Sequence, residues 1–381
     1  MSINKLEMLD YFAPSLRKFL RALLEENSIG ICAGKTSIVD RQSSCTTLVQ
    51  SLQPCCDRFQ VLIPYAGVTL TWEVLFDCNQ PDEPPDFIFA PEDYNFFPRL
   101  GDLPSLVCWN HKDPRSLVRV LKELLDQYKI YQENLISSSS RLKFEYSDLL
   151  NGTDLKPEDV EIHAARKEKK VGPINFLMKL SVDFSRIPEY LLNCDPGKDT
   201  ALLLVTFNSP DGHKITPQLY LSPRVERALG GSANLRIPAF PNGSCLTEYV
   251  FEVCQLMKNK VDHTVQAYEK RKEYVAAFLS QHTGAVLEYD MEGFTKCSFL
   301  FEWHDFFFIL YVDIPAYFPK EQPILTLQSI YHLNKGKPYS DVFKEYPYSP
   351  RWNRMEMVER TRNYILDNIK AFQKSSVLSG S

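Results

Sequence analysis

The chain is expected to be an α+β protein made of tandem units, each an antiparallel sheet flanked by helices. Three observations carry that expectation. Apolar residues alternate over short runs, as at Phe59, Val61, Ile63 and again at Val68, Leu70, Trp72, Val74, Phe76, which is the period of strands with one buried face. Stripes of apolar residues at helical spacing stand on either side of such runs. A proline-rich turn and an irregular stretch follow the strands before a closing helix, and the same order of elements recurs along the chain.

In the first unit, residues 1–137, Phe12, Leu16, Phe19 and Leu23 make a helix face that ends near Asn27. Ala66-Gly67 is the turn between the two alternating runs. Gln80 to Phe89, with Pro81, Pro84 and Pro85, is the proline segment, and proline lacks the backbone donor a sheet interior needs. Asp113 and Pro114 then open a helix with the stripe Leu117, Leu121, Leu124, Tyr128, Tyr131, Leu135. Ser137 to Ser140 reads as a linker.

The middle region, residues 141–260, starts with a helix over Leu142 to Leu150. It continues with the alternating run Ile174, Phe176, Met178, Leu180, Val182, Phe184, short strands at Ala201 to Phe207 and Ile215 to Leu221, and a helix from about Thr247. Two readings fit equally: a degenerate further copy of the unit, or an extension of one of its neighbours. The last unit, residues 261–372, opens on a helix with Val265, Tyr268, Val275 and Phe278. Phe299, Phe301, Trp303 and Phe306, Phe308, Leu310, Val312 flank His304-Asp305 as a hairpin. Phe307, Ile309 and Tyr311 make its second strand apolar on both faces, the mark of a covered central strand. Arg351 to Phe372 closes the unit through Met355, Val358, Ile365, Ile369 and Phe372, leaving 373–381 as a tail.

Composition narrows the function. With 381 residues, 44% of them apolar and 12% aromatic, the chain has material for two or three packed cores. A formal charge of −5 argues against nucleic acid as a direct partner, and the run Arg166-Lys167-Glu168-Lys169-Lys170 reads as a solvated loop. No stretch has the length of a membrane span and no signal peptide opens the chain, so membrane attachment is not expected and the location is cytoplasmic and nuclear. The ten cysteines are scattered and are expected to be reduced. No cofactor is implied.

Candidate chemistry mostly fails on spacing. Gly34-Lys35-Thr36 invites a phosphate-loop reading, but the loop needs its first glycine at position 29, which is Ile29, and Gly30 stands one place too close. The histidines at 111, 163, 213, 263, 282, 304 and 332 never fall at zinc-hydrolase spacing, and Cys55-Cys56 lacks a second pair to complete a zinc site. Cys108, beside Trp109 and near His111, is the one thiol to weigh as a nucleophile, and its apolar neighbours point to packing instead.

Ile314-Pro-Ala-Tyr-Phe-Pro-Lys-Glu-Gln-Pro-Ile-Leu-Thr-Leu-Gln-Ser-Ile-Tyr-His-Leu-Asn334 resembles the strand, proline turn and His-Pro-Asn corner of ubiquitin-conjugating enzymes, with Leu333 in place of the corner proline. Tyr348-Ser349-Pro350 and Trp352 resemble the Trp-Ser-Pro step that follows, and Pro81, Pro84 and Pro85 resemble the equivalent turn in the first unit. By that resemblance Pro319, Pro323, His332, Asn334, Pro350 and Trp352 are structural landmarks of the fold. The enzymes place a thioester-forming cysteine about eight residues beyond the Asn, because a thiolate is the group that exchanges an acyl chain. Here that stretch is Ser340-Asp341-Val342, and no cysteine follows Cys297. The resemblance is thus to the non-catalytic variants of the fold, the UEV and RWD domains, in tandem. It implies no enzyme activity, and it leaves Tyr331, Tyr339, Phe343, Tyr346 and Tyr348, in a stretch expected to be irregular, as candidate partner-binding anchors.

Along essentially its full length, beginning with Met1-Ser2 and Tyr11-Phe12-Ala13-Pro14-Ser15, the chain is similar to the brain and reproductive organ-expressed (BRE) family. That resemblance implies a non-catalytic scaffold subunit of two linkage-specific deubiquitinase complexes, BRISC and the nuclear A complex of the DNA-damage response. It implies a JAMM-type zinc deubiquitinase, an Abraxas-family scaffold and a von Willebrand A-like subunit as partners, with polyubiquitin and death receptors as further candidates and apoptosis as a linked process. The alternative is a free-standing ubiquitin or peptide-motif receptor of the UEV type.

Overall fold

A computed structural model describes residues 8–26, 28–43, 56–77, 80, 82–167, 170–192, 198–210, 214–231 and 235–379. The chain divides into two compact units, one of Met1–Val182, Lys198–Ser222 and Arg236–Leu256, the other of Asp183–Gly197, Pro223–Leu235 and Met257–Ser381. Mixed helix and antiparallel sheet is the architecture of both.

The first unit holds two four-stranded antiparallel sheets. Strands β1 (Ser37–Gln42), β2 (Arg58–Tyr65), β3 (Val68–Leu75) and β4 (Asp86–Ile88) lie in that order, and β2 and β3 pair Phe59 with Val74, Val61 with Trp72 and Ile63 with Leu70. The alternation puts all six on one face, where they are buried. Helices α1 (Arg17–Glu25) and α2 (Ser116–Ile136) bring Phe19, Leu20, Leu23, Leu117, Leu121, Leu124 and Tyr128 into the same core. Trp72, fully buried, has its ring centroid 6.1 Å from that of Tyr128. Pro85 is buried and Pro84 exposed where the chain enters edge strand β4, and Pro81 lies outside the described residues. Asp113-Pro114 forms a turn rather than the first helical turn, and α2 begins at Ser116.

The Ser137–Ser140 stretch is only a tight link, because Ser139 already caps helix α3 (Ser140–Gly152) by accepting from the Leu142 amide. The second sheet of this unit orders β5 (Val160–Lys167), β6 (Lys170–Lys179), β7 (Ala201–Phe207) and β8 (Ile215–Leu221). Its Leu177, Leu202 and Leu204 belong to the same core as the first sheet. Ala66 and Gly67 have φ of 44° and 77°, the left-handed pair of a tight hairpin turn. A Cβ on Gly67 would also stand 2.7 Å from Leu204 Cδ2, so glycine is needed twice there.

Glu161 of β5 fastens the sheets together. Its side chain is fully buried, and its two oxygens accept from the amides of Ile31 (2.8 Å) and Ala66 (2.9 Å). A Cβ on Gly30 would collide with Glu161 Oε1, so the Gly30 segment is glycine because a carboxylate sits against it. The stretch that invited a phosphate-loop reading thus donates to an acid of its own chain. Gln132 of α2, fully buried, accepts from the Ala164 amide at 2.8 Å, and Asn175 Nδ2 donates to Ala66 O at 2.9 Å.

Helix α4 (Leu246–Gln281) runs unbroken for 36 residues, so the two helices expected on either side of residue 260 are one element. Glu145 and Asp148 of α3 hold its start, accepting from the Leu246 amide (2.7 Å) and the Thr247 hydroxyl (2.6 Å). Its residues from Met257 onward belong to the second unit. There a five-stranded antiparallel sheet orders β13 (Lys337–Phe343), β12 (Ile324–Asn334), β11 (Phe306–Asp313), β10 (Lys296–Trp303) and β9 (Val286–Tyr289), with helix α5 (Arg354–Ser379) closing the core. Residues 337–343, expected to be irregular, form a strand because Lys335 (φ 50°) and Gly336 (φ 76°) turn the chain back on β12. Residues 373–379, expected as tail, continue α5 and bury Ser376. Met357 is buried where Met355 was expected, and Met355 is left 46% exposed. β11 is central, yet its second face is not covered among the described residues: Phe307 stays 36% exposed.

Glu161→Ala strands one buried and one partly buried amide and is expected to lower stability by about 3 kcal/mol in chemical denaturation. Burial raises the Glu161 pKa in spite of its amide donors. A carboxyl with a raised folded pKa contributes stability that is complete below its unfolded value and is lost as pH rises through the folded value. The gap between wild type and variant is therefore expected to widen as the pH falls.

Candidate functional site

The residues singled out in the last third of the sequence gather in the second unit, at the far end of β12, in the loops before β12 and after β13, and on β13, where Tyr339 and Phe343 pack against helix α5. Tyr331, His332, Leu333 and Asn334 are the last residues of β12, not a free corner. Pairing with β13 slips between Gln328 and Leu333, and the buried Ser329 hydroxyl fills the irregularity by accepting from the amides of Tyr331 (3.2 Å) and His332 (3.3 Å). The His332 ring then reaches α5, with Nδ1 2.8 Å from the buried Ser376 hydroxyl. Asn334 stands opposite Lys337 beside the turn.

The proline loop and the Tyr-Ser-Pro step are stapled to each other. Phe318, in the core, precedes Pro319 through a cis peptide bond. Tyr348 Oη donates to Pro319 O at 2.6 Å, Tyr346 Oη donates to Pro323 O at 2.9 Å, and Gln322 Nε2 donates to Tyr346 O at 3.0 Å. Burial pushes both tyrosine hydroxyls well above their usual pKa. Pro350 is exposed, and Trp352 is half-buried with the Arg360 guanidinium 5.1 Å from its ring centre. Asn353 starts α5 by accepting from the Glu356 amide. A cleft of about 730 Å³ lies among Tyr274, Phe318, Trp352, Arg354 and Met355.

The five candidate anchors therefore divide. Tyr346 is 8% exposed and is core. Tyr339 packs 5.5 Å from Phe372 and Phe343 5.7 Å from Tyr364, both half-buried, as is Tyr348. Tyr331 alone is largely exposed, at 51%. A surface that motif reading passed over lies on the outer sheet face. The registers line up Leu300, Ile309, Gln328 and Ser340 in one row and Tyr311, Thr326 and Val342 in another, beside Phe307, Ile324 and Ile330. Phe307, Ile330 and Val342 are 36%, 50% and 50% exposed. The signal was present in the apolar odd positions of β11, which a covered face and an open binding face both produce.

Val342, eight residues beyond Asn334, is exposed on edge strand β13. Cys297 of β10 is buried, and burial pushes its thiol up to about 12. In the first unit Cys108 is exposed, but the His111 ring faces Asp82 (3.4 Å), and Trp109 packs 5.2 Å from Phe19. Cys55 lies outside the described residues, and the Cys56 backbone pairs with that of Phe12 in an isolated β-bridge. Among the described residues no group of three or more His, Cys, Asp or Glu is placed to hold a metal ion, and no helix is long and apolar enough to cross a membrane.

A family model for the brain and reproductive organ-expressed protein (BRE) matches residues 10–333. A Branchiostoma floridae protein named "BRISC and BRCA1-A complex member 2" is 47% identical over 370 residues, spanning 96% of this chain and 96% of its own. A Danio rerio protein of the same name is 47% identical over 379 residues, spanning 98% and 97%.

Incubated with activating enzyme, ATP and ubiquitin, the full chain is expected to give no reductant-sensitive adduct on a non-reducing gel, and Cys108→Ala is expected to change nothing. A thioester band lost in the Cys108→Ala chain would make Cys108 a nucleophile.

Proposed function

The chain belongs to the brain and reproductive organ-expressed protein family, and on that footing we propose that it is a non-catalytic scaffold subunit of the BRISC and BRCA1-A type of deubiquitinase complex. The near-complete match to two relatives named as members of those complexes supports the reading, since 47% identity over almost the whole chain leaves no large segment for a different role. The observation in the structure that carries it is the second unit's arrangement: loops and corner are fastened, the thiol is buried, and the outer sheet face is left apolar and open.

In this reading the successive helix–sheet–helix segments are tandem domains of the UEV/RWD type, with 1–137, 141–260 and 261–372 as their spans. They hold a JAMM-type zinc protease, an Abraxas-family scaffold and a von Willebrand A-like subunit, which supply the chemistry this chain lacks. Polyubiquitin and death receptors are further ligands, and work in the cytoplasm and nucleus, in DNA repair and apoptosis, follows from the same family placement. Burying the outer face suits a protein partner, because an interface gains most from desolvating an apolar centre with polar residues at its margin, here Ser340 on the edge strand and the Lys296–Asp313 pair at one end.

Tagged full-length chain recovered from cells is expected to carry a zinc-dependent deubiquitinase in fixed ratio, whereas a monomeric chain with ubiquitin alone would support the free-standing receptor instead. Phe307→Ser with Val342→Glu, both partly exposed, is expected to leave the melting temperature within a few degrees and to lose at least one subunit. Retention of every subunit by the folded double variant would remove the outer face from the interface.

A further inference from the structure

The hairpin of β2 and β3 turns on two residues, Ala66 and Gly67, so the flanking Tyr65 and Val68 bond each other through both backbone groups. From there the pattern alternates. Val68, Leu70, Trp72 and Val74 bond β2, while the N–H and C=O of Thr69, Thr71, Glu73 and Leu75 point to the other side of β3. Strand β4 stands opposite Glu73 and Leu75, through Ile88 and Asp86, and ends there. Residues 68–72 lie beyond its last pair, and among the described residues nothing takes the outward backbone groups of Thr69 and Thr71.

That open edge lines a cleft of about 630 Å³ in the first unit. Consecutive residues line it, 68–71 from β3, 88–93 from β4 and the turn Pro91–Asp93, and 163–166 from β5; on a strand such a run marks the edge, because one face shows every second residue. The β5 edge is provided for, since the Ala164 amide donates to Gln132 Oε1 at 2.8 Å. The β3 edge is not. Other edge strands are blunted, β8 by Pro217, β13 by Lys337 and Pro338, and β1 by a bulge between Val39 and Gln42. Residues 68–72 hold no proline, glycine or lysine, and Val68, Thr69 and Thr71 are β-branched, so this edge is chemically ready to pair.

We propose that the edge of β3 at Thr69 and Thr71 receives an extended segment of a protein partner, which adds as a strand in line with β4 and carries lysine or arginine beside Glu73 and Glu92. Two N–H and two C=O groups set along a strand are matched by another extended backbone, which repeats donor and acceptor at the same spacing. The charges of the cleft choose the side chains. Asp93 accepts from the Tyr128 hydroxyl at 3.1 Å and feels the Arg166 charge, whereas Glu73 and Glu92 make no ion pair among the described residues. Arg166 lines the same cleft with a buried Nη1 that has no hydrogen-bond partner among the described residues. A carbonyl on the far edge of the added strand supplies one.

The test is fluorescence anisotropy of the full chain with a labelled Lys-Val-Thr-Val-Lys peptide and two singly N-methylated forms of it. With its lysines on the Glu73 face, the peptide turns the N–H groups of its lysine and threonine residues toward β3 and those of its valines away. Methylating the threonine amide is expected to weaken binding at least about tenfold, since it removes a backbone bond and sets a methyl group between the strands. Methylating the second valine amide is expected to leave the affinity within about twofold. Thr71→Pro, which deletes an N–H that β2 does not use, is expected to abolish binding in a chain that circular dichroism shows to be folded. Glu73→Gln with Glu92→Gln is expected to weaken binding and flatten its dependence on salt. No saturable binding of the parent peptide, or equal binding of the two methylated forms, overturns the proposal whether or not the proline variant folds. A full-chain dimer in sedimentation that Thr71→Pro makes monomeric gives the edge to a second copy and overturns its assignment to a partner.

Discussion

One buried carboxylate decides how the first unit is put together. Glu161 is taken wholly out of water, and an ionised acid in that position is costly unless donors surround it. Its donors come from the other sheet: the Ile31 amide in the loop before β1 and the Ala66 amide in the turn between β2 and β3. The Ala66 amide would itself be an unsatisfied buried group without the acid. The hairpin turn must be tight and left-handed to present the Ala66 amide, Gly67 must lack a Cβ to approach Leu204, and Gly30 must lack one to admit the acid. Buried Gln132 repeats the device from α2, so the sheets share both polar contacts and an apolar core that includes Leu177, Leu202 and Leu204.

The second unit is fastened differently. Its tie between sheet and closing helix is the His332 ring against the Ser376 hydroxyl, and its loops are held by tyrosine hydroxyls on proline carbonyls. Such bonds hold the loop before β12 and the loop after β13 against each other.

Most strands were legible because period-two alternation with one buried face leaves a plain mark, as at Phe59 to Ile63 and Phe299 to Trp303. β5 was missed because Glu161 and His163 interrupt its apolar pattern, and the residue that hid the strand is the one the unit depends on. The continuity of α4 was missed because a helix crossing from one core to another changes its apolar face, which in sequence looks like two helices. Tyr346 and Tyr331 carry the same local signal in sequence, yet one is core and the other exposed, because hydroxyl partners such as Pro323 O are set by the tertiary fold alone.

That the two sheets of the first unit form one cooperative body is tested most directly by native-state hydrogen exchange. The amides of Ile31 and Ala66, bound to Glu161, and of Ala164, bound to Gln132, are to be compared with the strand amides of Val61 and Phe176. The structure predicts a single opening free energy for all five, since breaking the Glu161 bonds requires separating the sheets and exposing their common core. Exchange of Ile31, Ala66 and Val61 through a cheaper opening, while Phe176 and Ala164 stay protected, would show two bodies that merely touch.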